Sequence, residues 1–136
     1  MVITCSGKRI NFLQPLKFYS EIQQVNLDKN IVLLAWDFAG KVTATTNYAD
    51  SNQTLLKKIK DDHFVSKLGE EACKIAFSAF AKVTGPDYTI YPADKKSWQE
   101  DLMINGVGLA VKTQRRTAAK KYSLSWTFQC LSLIHI

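Results

Sequence analysis

Two charged side chains, Asp101 and Lys112, border an otherwise apolar stretch in the second half of the chain. Leu102, Ile104, Leu109 and Val111 supply the alternating apolar positions of a short hairpin, and Asn105-Gly106 is a dipeptide that tolerates the positive φ angles of a two-residue turn. A carboxylate holds a hard cation through oxygen, and an ammonium holds a phosphate oxygen, so the pairing suits phosphate chemistry. In a strand running from Leu109 to Gln114, Ala110, Lys112 and Gln114 share one face. If that strand is central, Lys112 needs a negatively charged partner or ligand. If the hairpin is exposed, an Asp101–Lys112 pair worth well under ~1 kcal/mol accounts for both residues.

The elements that position these residues can be read along the chain. Val2 to Thr4 and Arg9 to Phe12 flank Ser6-Gly7-Lys8, and Ile31 to Phe38 and Lys41 to Thr46 flank Ala39-Gly40, which predicts two hairpins. Leu16 to Val25 is a candidate helix between them. Asp50 or Ser51 is placed to cap a short helix over Gln53 to Lys60, and Asp61-Asp62 restarts a longer one running to about Val83, where Thr84-Gly85-Pro86 stops it. On that helix Val65, Leu68, Ala72, Ile75, Ala76, Ala79 and Val83 form one face. Glu71 falls about 100° from its centre, at the margin of whatever sheet the helix covers, while Glu70 falls about 160° away, toward solvent. Two ordinary solvated glutamates are the competing reading. Asp87 to Tyr91 is a strand candidate, Arg115 to Tyr122 a basic helix, and Ser123 to Gln129 alternates like a strand. The order from Asp62 is helix, three strands, helix, strand.

With 136 residues, 46% of them hydrophobic and 22% charged, a single globular domain is expected. The Ile31 to Trp36 run is too short to span a bilayer, and Met-Val-Ile-Thr-Cys does not open like a signal peptide, so a cytoplasmic protein without a membrane partner is expected. Cys5, Cys73 and Cys130 form no Cys-x-x-Cys pair and are read as reduced, leaving any metal to oxygen ligands. The net charge of +6 is unevenly spread: residues 102–136 hold five bases and no acid, against 13 bases and 12 acids before them. That field favours a polyanion, although a solvated basic helix face would give the same count. Residues 131–136 look like translated sequencing-adapter sequence rather than native protein, the alternative being an apolar extension of the last strand; on the first reading His135 carries no functional information.

From the helix bearing Gly69-Glu70-Glu71, through Asp101 and Ala110-Val111-Lys112, to the basic helix and the 123–129 strand, the chain resembles the PD-(D/E)xK nuclease superfamily. The resemblance implies an α/β fold with a restriction-endonuclease-like αβββαβ core over 51–130. It also implies a mixed four-stranded sheet flanked by helices, with 1–50 as a hairpin-rich extension. It further implies a Mg²⁺- or Mn²⁺-dependent nuclease acting on DNA, with Asp101 and Glu71 as metal ligands and Lys112 orienting the attacking water. Gln114 would line the site, and Arg115, Arg116, Lys120 and Lys121 would hold the backbone through phosphate contacts. A homodimer is a further expectation for an enzyme that cuts both strands.

One position departs from that pattern. Two residues before the lysine, where the superfamily carries Glu or Asp, stands Ala110, whose side chain cannot coordinate a cation. Either Glu71 or Glu100 supplies the missing carboxylate, or the site binds metal weakly, or the protein is a catalytically inactive, phage-type accessory that only binds nucleic acid. A protein-interaction domain is the remaining alternative. The literal Pro86-Asp87 pair opens the wrong strand and ranks behind Asp101. There is no P-loop run, and His63 at an expected helix start reads as a cap or surface residue rather than half of a hydrolase dyad.

Overall fold

A computed structural model of the chain describes residues 2–6, 22–46, 55–95 and 99–122. Strand β1 (Val2–Ser6) pairs antiparallel with β2 (Ile22–Asn26), Val2 opposite Asn26 and Ser6 opposite Ile22. Helix α1 (Lys29–Thr43) and the longer α2 (Leu56–Ser78) follow. Then comes an antiparallel sheet in the order β3 (Val83–Thr84), β4 (Leu102–Ile104), β5 (Val107–Leu109), and finally α3 (Arg116–Tyr122). The described architecture is thus mixed α/β, with three helices and a three-stranded antiparallel meander. The anticipated Arg9–Phe12 and 123–129 strands, the Asp50 and Ser51 caps and the 131–136 tail lie outside the described residues.

Residues 31–38 and 41–46, expected as a hairpin, belong to or adjoin α1. Asp28 decides this: in an extended conformation (φ −61°, ψ 146°), its side chain accepts a hydrogen bond from Asn30 N at 2.7 Å, capping the helix start. Val32, Ala35, Ala39 and Val42 then recur at helical spacing, with the two alanines completely buried. Ala39-Gly40 lies inside the helix rather than in a turn. At the far end the Thr43 hydroxyl donates to Ala39 O at 2.6 Å, and the Thr45 and Thr46 hydroxyls donate to Val42 O at 3.0 Å, so side chains satisfy the last carbonyls. Ile22 to Val25, expected in a helix, lie in β2, where exposed Gln24 and Asn26 flank buried Val25, with buried Leu27 just after the strand.

Asp61-Asp62 does not interrupt α2. Asp62 is a helix-surface partner, accepting from Lys58 Nζ one turn earlier at 2.7 and 3.0 Å. The helix ends at Ser78, short of Val83, because Phe77 O accepts both Phe80 N and Ala81 N while Val83 and Thr84 pair with Ile104 and Met103. β-Branched residues gain more on that pleated surface than in a fraying turn. Val25, Leu27, Ala35, Leu68, Ala72 and Ala76 form one core cluster, with Val32, Phe64 and Cys73 packed against it. Alanine on both helices lets α1 approach α2 closely.

The hairpin forms as expected. Leu102 faces Leu109, Met103 faces Gly108 and Ile104 faces Val107, with positive φ at Asn105 (48°) and Gly106 (80°). Leu102 is its buried anchor. Two neighbouring expectations fail. Asp87 to Tyr91 forms no strand, because the Asp87 carboxylate accepts from Thr89 N at 2.8 Å and from the Tyr91 hydroxyl at 2.7 Å, a local alternative to a ladder. Strand β5 stops at Leu109, short of Gln114, and the Val111 N–H goes to Asp101 Oδ2 at 2.6 Å.

Candidate functional site

Helix α2 buries every residue from Lys67 to Ala72. One apolar stripe cannot cause that; the helix must be covered on more than one side. The core takes Leu68 and Ala72, and Gly69 lies under Thr113, where a Cβ on the glycine would fall on the threonine side chain. The remaining side faces a cleft of about 290 Å³ lined by the C-terminal end of α1, the middle of α2, the 87–91 segment and residues 99–101.

This layering corrects the helical-wheel placement of Glu70. It is 4% exposed, not solvated, and its Oε2 accepts from Lys67 Nζ at 2.5 Å, with Ser66 Oγ 3.4 Å from Oε1. Burial raises the Glu70 carboxyl above its ordinary pKa; the negative charge of Asp101 adds to that, and Lys67 pulls the other way. The Lys67 ammonium lies 4.9 Å from the Phe38 ring centre and 5.3 Å from that of Tyr88, and those two rings meet edge to face at 5.4 Å. A buried cation is thus held by one carboxylate and two aromatic faces. Glu71 is 6% exposed and accepts from the Tyr88 hydroxyl at 2.8 Å. Burial, reinforced by that carboxylate, raises the pKa of the tyrosine.

Asp101 lines the cleft beside Glu70, Glu100 and Asp87. It is fixed through its backbone, with Asp101 N donating to Leu109 O at 3.1 Å, and through Oδ2, which takes the Val111 N–H. Hydrogen bonds from Thr89 and Tyr91 hold the Asp87 carboxyl below its usual range. His63 also lines the cleft, with Nε2 3.1 Å from Thr46 Oγ1; the sequence had suggested only a cap or surface role.

The anticipated constellation is distributed over three settings. Asp101 is at the cleft; Glu71 is buried against Tyr88; Lys112 is exposed, because Val111 turns inward and Thr113 packs on Gly69. Gln114 is half-buried beyond it. Lys112 makes no ion pair with Asp101 among the described residues. Arg115, Arg116, Lys120 and Lys121 are all exposed, with Arg115 Nη2 3.4 Å from Asp61 O. The carboxylates of the cleft are of the right kind for a hard cation, but among the described residues no three His, Cys, Asp or Glu side chains are grouped to hold one. The arrangement therefore does not fit a ready-made Mg²⁺ site.

Lys67 and Tyr88 were not singled out in the sequence. The Lys67-x-x-Glu70 spacing was a usable signal, since side chains three apart on a helix meet. It needed α1 as a covering layer to show that the pair is buried. No helix among the described residues is long and apolar enough to cross a membrane. No protein family, no curated protein and no solved structure matches this chain.

Proposed function

We propose that this chain is a nuclease-like protein acting on nucleic acid, DNA first. The basic segment from Lys112 to Lys121 would contact the phosphate backbone, and the cleft at Asp101 would be the place of phosphodiester chemistry. The observation that carries the reading is the position of Asp101. It is an anchored carboxylate lining a cleft that also holds Glu70, Asp87 and Glu100, at the base of a hairpin leading into an exposed, acid-free basic segment. Mg²⁺ or Mn²⁺ is the cofactor this reading calls for, and it would have to draw together cleft carboxylates that, among the described residues, are not grouped to hold it.

A second reading, binding without cleavage, is favoured by Ala110 and by the outward position of Lys112. One experiment separates the two. Plasmid and single-stranded DNA are incubated with the protein in Mg²⁺ or Mn²⁺, and product is followed on gels for wild type, Asp101→Asn, Glu70→Gln and Lys112→Ala. Metal-dependent product lost in Asp101→Asn supports the nuclease. Retention of DNA with no product in any metal supports the binding protein, and no DNA affinity at low salt would reject both.

A further inference from the structure

We propose that the tip of the β4–β5 hairpin, together with the α2–β3 turn bonded to it, is a base-stacking contact for single-stranded nucleic acid, with Phe80 as the platform and Lys82 and Lys74 as phosphate anchors. This rests on the nucleic-acid reading above and adds a contact that the basic segment does not supply.

Three observations converge there. Phe80 is 73% exposed, yet its ring is held edge to face against Phe77 at 5.6 Å, so a large aromatic surface is presented in a fixed place. The turn carrying it is clamped to the tip of the hairpin: Lys82 N donates to Asn105 Oδ1 at 2.9 Å, and Asn105 N donates back to Lys82 O at 2.9 Å. Val107, next to that tip on β5, is a further exposed apolar side chain, at 69%. Aromatic rings fixed before binding lose little freedom when a base stacks on them.

Charge selects the occupant. Residues 72–86 and 102–122 contain no Asp or Glu. Exposed Lys82 is two residues from Phe80, and Lys74 is one turn before Phe77 on the same helix face. The C-terminal carbonyls of α2 contribute roughly half a negative charge, which two lysines outweigh. A second copy docking face to face here would bring like charges together, whereas a polyanion with flat apolar bases satisfies both the lysines and the ring.

The test is fluorescence anisotropy of the full chain with oligo-dT and with an abasic oligonucleotide of equal charge, across a salt series. Wild type is expected to prefer oligo-dT by about 5- to 100-fold. Phe80→Ala abolishes that preference without changing the salt dependence, Phe80→Trp retains it, and Lys82→Ala shortens the salt slope by about 0.7. Equal binding of the two oligonucleotides by wild type, or an unchanged preference in Phe80→Ala, overturns the stacking contact while leaving the nucleic-acid reading in place. Binding of neither oligonucleotide overturns the stacking contact, and the nucleic-acid reading falls with it only if plasmid DNA is not retained at low salt either. Self-association that Phe80→Ala abolishes, without any base preference, would assign the surface to a second copy instead.

Discussion

The middle of α2 and the segment from Lys112 to Lys121 both carry lysine, and they treat it in opposite ways. Lys67 is buried, bonded to Glu70 and enclosed by Phe38 and Tyr88, whereas Lys112 and Lys120 are exposed along an acid-free stretch. A charge taken out of water must be matched inside the protein, so its partner becomes part of the fold. A charge left in water costs the fold little and remains available to an external polyanion. The contrast predicts that perturbing the first region is read in stability and perturbing the second in binding.

The largest effect is expected at the buried pair. Lys67→Met leaves Glu70 buried without its cation and should lower unfolding free energy by about 3–5 kcal/mol in urea titrations, while Lys67→Met/Glu70→Leu recovers most of the loss. An unmoved midpoint in the single variant would erase the contrast. Next comes the seam between the regions, where Thr113 rests on Gly69. Gly69→Ala gains about 1 kcal/mol of helix propensity but overpacks the seam by roughly 1–3 kcal/mol, for a net loss that Thr113→Ala should reverse in the same titration.

A smaller effect follows from pH. The native state holds the Glu70 proton more tightly than the unfolded chain, where this carboxyl titrates near 4.5. Its contribution to stability is therefore greatest below that value and is lost as pH rises through the raised native pKa. Glu70→Gln should flatten that part of the stability curve, and an unchanged curve would detach Glu70 from it. The least effect on stability is expected from Arg115→Glu/Arg116→Glu, within ~0.5 kcal/mol of wild type, together with at least about tenfold weaker DNA retention at low salt. Equal loss of stability would show that these arginines serve the fold.

What could be read in advance was local. The hairpin was legible because the Asn105-Gly106 turn and the alternation of Leu102, Ile104, Val107 and Leu109 depend on adjacent residues alone. Helix α1 was not, because the Ile31 to Trp36 run has neither strand alternation nor an obvious polar face; the decisive Asp28 cap lies just outside it. Asp87 to Tyr91 has the composition of a strand, but one carboxylate bonding to its own neighbours prevents pairing. At the site, Asp101 could be found from its place before the hairpin. The buried position of Glu70 could not, since it depends on α1, the 87–91 segment and residues 99–101 closing over a second side of α2.

The turn that was easiest to read has a chemical cost. An asparagine followed by glycine loses its side-chain amide unusually readily, because the next peptide nitrogen is unshielded and can attack the amide carbon. Asn105 is such a residue, and its amide oxygen receives the Lys82 N–H at the acid-free end of the sheet. Ageing of the protein at mildly alkaline pH would create a carboxylate there and could reroute the backbone through the side chain. The feature that sets the hairpin register is therefore also a clock, and its first tick adds a negative charge beside Lys82.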